Sequence, residues 1–195
     1  VPRSEQEIIA VTGLSQPLNG VAVLSAPWHR DHRGAFQELF SERRWAQSGI
    51  EARFKQDNVS VTARRGTIRG LHFQRAPFAQ AKLVSVLQGS ILDVIVDIRP
   101  CSPTFGYHMS VELSDRSPHQ LFVPSGLAHG FCTLIDHTIV CYKMSEIYSP
   151  EHEGGLRWND PALAIDWPVS DAEAILSERD LGWPDLSSLD FPTSA

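Results

Sequence analysis

Five residues in this sequence carry the chemistry worth following: His72, Lys82, His129, Tyr142 and Asp180. His72 sits in Ile68-Arg69-Gly70-Leu71-His72-Phe73-Gln74, and His129 in Pro124-Ser125-Gly126-Leu127-Ala128-His129-Gly130. A histidine whose tautomer is fixed by a carboxylate serves as a general base near neutral pH. A lysine can hold a developing enolate oxygen, and a tyrosine can return a proton from the opposite side. Together these parts suit proton transfer at a carbon beside a carbonyl. Arg33, Arg69 and Arg179 add cations able to grip a diphosphate. Each residue also has a plainer reading. A lone histidine in an apolar run is more often a hydrogen-bonded core residue, a tyrosine an amphipathic packing residue, and an arginine a solvated surface group.

Metal chemistry is the competing possibility, because Pro124-x-Gly126-x-x-His129 resembles the second motif of cupins. Metal-binding cupins add a His-x-His pair and an acidic ligand soon after it. Here the pair is His72-Phe73-Gln74, and Lys82 stands near the place of the acid. Two histidines and a cation make a poor site for zinc or iron, so no metal is expected.

The elements that must position these residues read as short strands. From Phe54 onward the apolar period is two, with candidates at 59–62, 67–74, 82–88, 91–98, 107–113, 120–123, 131–134 and 138–144. Gly66, Gly89, Pro103, Pro118 and Gly126 punctuate them. Earlier, 21–24 reads as a strand, Asp31-His32-Arg33-Gly34 as a turn, and 35–40 as alternating. Ser41 can cap a short helix through Gln47, and a second helix is expected over 171–176. Many short strands at regular spacing indicate an all-β sandwich or barrel, best a jelly roll. Alternation places Ile68, Gly70, His72 and Gln74 on one side of their strand. Arg69 then faces away, unless Gly70 permits a bulge that brings both Arg69 and His72 inward.

Of 195 residues, 42% are hydrophobic and 21% charged, with a formal net charge of -6. This suits one soluble domain and argues against nucleic acid as a partner. Three cysteines without metal spacing point to a reducing, cytoplasmic setting. No signal-peptide region or membrane-length apolar run is seen; Asp93 and Asp97 interrupt the longest candidate. The expected organisation is a leader over 1–20, a domain over 21–182 and a tail over 183–195.

The chain resembles the dTDP-4-dehydrorhamnose 3,5-epimerase family of cupin-type nucleotide-sugar epimerases. The likeness rests on Asp31-x-Arg33-Gly34-x-Phe36-x-Glu38, Gln56-Asp57-Asn58-x-Ser60, Arg69-Gly70-Leu71-His72-Phe73-Gln74 and Gln80-x-Lys82-Leu83-Val84. It continues through Val96-Asp97-Ile98-Arg99, Ser102-Pro103-Thr104-Phe105-Gly106, Pro124-x-Gly126-x-Ala128-His129-Gly130-Phe131 and Tyr142-Lys143. Tyr148, Trp158-x-Asp160-Pro161, Trp167-Pro168 and Leu176-Ser177-x-x-Asp180 complete it.

The resemblance implies a cupin-like jelly roll without cofactor. It implies His72 as base, Asp180 as its orienting partner, Lys82 as enolate stabiliser and Tyr142 as acid. His129 would define the sugar site and Tyr148 would pack against the ligand. Arg33, Arg69 and Arg179 would contact the diphosphate, with Gln56 and Asn58 nearby. A homodimer is implied, in which Phe36 and Glu38 complete a neighbour's site. The expected reaction is inversion at C3 and C5 of a dTDP-4-keto-6-deoxyhexose. Alternatives are inversion at one carbon only, a non-catalytic sugar-binding cupin, and a metal-dependent cupin oxygenase.

Overall fold

The computed structural model describes residues 18–50 and 52–190. Twelve strands and two α-helices lie within them. One five-stranded antiparallel sheet runs in the order β1 (Ala22–Ser25), β9 (His119–Val123), β6 (Lys82–Gln88), β11 (Thr138–Met144), β4 (Gln56–Thr62). The other runs β12 (Glu153–Gly155), β5 (Ile68–Gln74), β10 (Leu127–Thr133), β7 (Ser90–Asp97), β8 (His108–Ser114). A separate ribbon pairs β2 (Trp28–Asp31) with β3 (Gly34–Gln37) across the expected turn.

The sheets face each other over a core that includes Val84, Val86, Ile91, Ile95, Leu121 and Val140. Strand alternation explains this set, since each strand sends every second side chain inward. Unlike a simple sandwich, both sheets are also covered outside. Trp45 of α1 (Glu42–Gln47), with Ile50, packs on Leu83 and Phe122 of the first sheet. Leu156, Trp158, Leu163 and Trp167 cover Leu71, Phe73, Val94 and Val96 of the second. That cover explains why β7 is buried at nearly every position.

Several expectations need correction. The helix over 171–176 does not form: Ile175 instead makes a parallel bridge to Thr67, and its carbonyl accepts from Ile68 N–H. A short helix follows at α2 (Glu178–Leu181), capped by Ser177 Oγ accepting from Asp180 N–H. The stretch read as a tail folds onto the domain, with Leu186 and Leu189 against the second sheet's cover. Residues 1–17 of the expected leader lie outside the described residues, whereas Leu18 is fully buried in the core.

Candidate active site

The parity conflict between Arg69 and His72 is resolved by a bulge on β5. His129 pairs with His72 and Phe131 with Arg69, so β5 spends three steps where β10 spends two. Ile68, Leu71 and Phe73 therefore point outward into the cover, and Arg69 and His72 both point into a pocket between the sheets. This corrects the placement of Ile68 on the face of His72. Gly70 has φ of +122°, and a Cβ there would lie 2.6 Å from Gly130 Cα and 2.8 Å from His129 O. Only glycine fits this approach.

The pocket, about 400 Å³, is walled by side chains from both sheets. Arg69 and His72 come from β5 and His129 from β10; Lys82 enters from β6 and Tyr142 from β11. Arg179 and Asp180 reach it from α2. Seven of the thirteen expected site residues thus converge. His72 Nε2 lies 2.6 Å from Asp180 Oδ1, and this carboxylate is buried. The imidazole donates through Nε2–H, leaving Nδ1 to accept a proton. Burial raises the Asp180 pKa, but hydrogen bonds from His72, Ser177 and Trp183 outweigh it and hold the group below the usual carboxylate range.

A second chain of polar groups lies deeper. Lys82 Nζ donates to His72 O at 3.2 Å and approaches His129 Nδ1 at 3.5 Å. His129 Nε2 in turn lies 2.7 Å from Asp93 Oδ1, a carboxylate with no exposure. Burial pushes Lys82 down to about 8, with Asp93 and Glu153 pulling the other way. Burial also lowers His129, which stays neutral with Nδ1 turned to the ammonium. Tyr142 is raised by burial, with Arg69 and Ser60 opposing, so its phenol keeps its proton near neutrality.

The remaining expected residues lie outside the pocket wall. Gln56 donates to Asn58 Oδ1 and accepts from Tyr148 N–H, while Tyr148 Oη donates to Glu153 Oε2. Arg179 bonds the same Glu153 oxygen at 3.0 Å, which ties this group to the pocket's rim. Arg33 is exposed and paired with Asp31 on the ribbon; Phe36 lies there too, and Glu38 just beyond pairs with Arg44. None of these three touches the pocket among the described residues. Gln74, at the position of a cupin metal ligand, is spent on Phe78 O, Ile147 O and Ser149 N–H.

Sequence reasoning missed Asp93, Glu153 and Trp183 as site residues. Asp93 had a signal: an acid inside the apolar run Ile91-Leu92-Asp93-Val94 must find a partner once buried.

The family model for dTDP-4-dehydrorhamnose 3,5-epimerase matches residues 15–188. A curated dTDP-4-dehydrorhamnose 3,5-epimerase of Methanothermobacter thermautotrophicus is 45% identical over 170 residues, covering 87% of this chain and 91% of that one. Among solved structures, a dTDP-4-dehydrorhamnose 3,5-epimerase from Bacillus anthracis with TDP and PPi bound superposes with TM-score 0.83. It is 46% identical, with 90% of this chain and 98% of that one covered. A dTDP-6-deoxy-D-glucose-3,5-epimerase from Legionella pneumophila, in complex with dTDP-4-keto-L-rhamnose, gives TM-score 0.84 at 40% identity, covering 90% and 92%. The shared architecture is a cupin-like jelly roll.

Proposed function

The chain belongs to the dTDP-4-dehydrorhamnose 3,5-epimerase family, and from that membership we propose how it inverts C3 and C5 of a dTDP-linked 4-keto-6-deoxyhexose. It is an isomerase acting on a carbohydrate. The observation that carries the mechanism is the meeting of His72–Asp180, Lys82 and Tyr142 in one pocket.

His72 Nδ1 takes the proton from the carbon next to the C4 ketone, and Asp180 steadies the imidazolium that results. The electron pair moves onto the C4 oxygen, where the Lys82 ammonium meets the charge. Tyr142 delivers a proton from the other side. Its strand belongs to the first sheet and that of His72 to the second, so the two side chains enter the pocket from facing walls. Both reacting carbons flank the same ketone, so one apparatus serves both. Arg69 and Arg179 supply cationic partners for the diphosphate. No metal or cofactor is called for, since Lys82 does the work of an electrophile and Gln74 is engaged elsewhere.

A homodimer in the cytoplasm completes the proposal. On the first sheet's outer face Val59 is 58% exposed and Val61 69%, and Phe36 on the ribbon is 67% exposed. Exposed apolar side chains of this size suit burial against a second copy. Arg33, Phe36 and Glu38 would then serve the neighbour's pocket. Among the described residues no helix is long and apolar enough to cross a membrane.

The test is incubation of the dTDP-4-keto-6-deoxyglucose in heavy water, with deuterium located by NMR. Label at C3 and C5 with inverted product is expected. In folded His72→Ala protein both exchange and inversion should fall about 10²–10⁴-fold. Turnover close to normal in that variant removes His72 from the mechanism.

A further inference from the structure

We propose that Trp183 is a positioning residue for the His72–Asp180 pair, holding the carboxylate and the imidazole plane in the geometry a base needs. Two contacts motivate this. The indole Nε1–H donates to Asp180 Oδ1 at 3.3 Å, the same oxygen that faces His72 Nε2. The indole also meets the His72 ring edge to face, with centroids 6.1 Å apart and planes at 71°. One side chain thus touches both members of the pair.

The indole is itself locked. Gly155 pairs in register with His72 on the neighbouring strand, and a Cβ at Gly155 would fall 2.4 Å from two indole atoms. Glycine at this position leaves the room that Trp183 fills. The indole also borders a surface groove, where Arg157, Leu181 and Pro184 lie. Trp183 is therefore the partition between that groove and the pair. An aromatic there keeps water off the back of the carboxylate and leaves Oδ1 with a second fixed donor.

A partition that merely filled space would not bear on proton affinity, and this separates the roles. With the indole N–H gone, Asp180 loses a donor and its oxygen accepts more strongly from an imidazolium. The protonated pair gains stability, so the acidic limb of kcat/KM moves to higher pH. Arg179, Glu153, Lys82 and His129 are the other charged or titratable groups around the pair, and Trp183→Phe leaves all of them in place.

The proposal rests on His72 acting as base, and the experiment keeps the two apart. kcat/KM is measured against pH for wild type, Trp183→Phe and Trp183→Leu, with His72→Ala as the check on the base. The imidazole of His72 is followed by NMR titration in the same proteins without substrate. The expected result is an upward move of about half a pH unit in both limb and titration for Trp183→Phe. Trp183→Leu, lacking the ring as well, should add a drop in kcat of about 10-fold or more with little change in KM. Limb and titration unmoved in folded Trp183→Phe would overturn the proposal while leaving the base in place. An active His72→Ala would instead sink the reading beneath it. If Trp183→Leu does not fold, the Phe variant alone decides.

Discussion

At the scale of single residues, two side chains of opposite charge behaviour share one pocket. Tyr142 is held protonated by burial and suits delivery, whereas His72 suits removal. Deleting only the phenol hydroxyl therefore splits the reaction. Tyr142→Phe should wash solvent deuterium into unreacted substrate while forming little inverted product, since His72 can return a proton to its own face. Rates of exchange and inversion measured together by NMR check this, and inversion that keeps step with exchange excludes Tyr142 as the acid. Lys82 sets the other limit. Its ammonium is pushed down to about 8 by burial, so activity should fall as pH rises past that value and the cation is lost. Asp93 works against that loss, and Asp93→Asn should bring the alkaline limb down by about half a pH unit to one unit. An unmoved limb in the folded variant would show that another group sets it. These residues were legible as candidates from their types, but their partners were not. Asp93 stands 36 residues before His129, and its local sequence announces the need for a partner without naming which.

At the scale of elements, the bulge on β5 decides whether the site exists. A regular strand would send Arg69 to the face opposite His72, because one step reverses a side chain's face. Gly70→Ala should be costly twice over, since φ of +122° is foreign to alanine and the new methyl meets Gly130 and His129 backbone. A loss on the order of 1–3 kcal/mol is expected from the backbone conformation alone. Urea denaturation measures it, and activity should drop further than stability because His72 and Arg69 move together. Full activity with native stability would show that the bulge is dispensable. Strands such as β6 and β11 were readable to the residue, because Lys82–Gln88 and Thr138–Met144 are short runs rich in apolar and β-branched residues set off by turns. β12 was not readable. Glu153-Gly154-Gly155 has no alternation and exists because the edge of β5 has backbone groups to pair. The helix expected at 171–176 failed for a like reason: Ile175 and Thr67 satisfy each other's neighbourhood across the cover.

At the scale of the whole molecule, the described residues cover the first sheet outside over only part of its width. Among them Val59 and Val61 stay exposed on the edge strand β4, whose free edge pairs with no other described strand. Light scattering should give twice the chain mass, and Val61→Lys should shift the population toward monomer with a loss of activity. A fully active monomer would rule out a shared site. The opposite sheet has the reverse character. Its cover is a single excursion of the chain after β12, and that excursion brings Asp180 and Trp183 to a histidine 108 residues earlier. The ladders that hold His72, Lys82, His129 and Tyr142 run within the two sheets and include no residue of this excursion. Local opening of the cover as a flap would break the His72–Asp180 pair without parting those ladders. On warming, the enzyme should fall silent while most of its strands remain paired, because the proton-transfer pair is lost with the flap. On cooling it should recover at the speed of docking, with no need to rebuild a sheet.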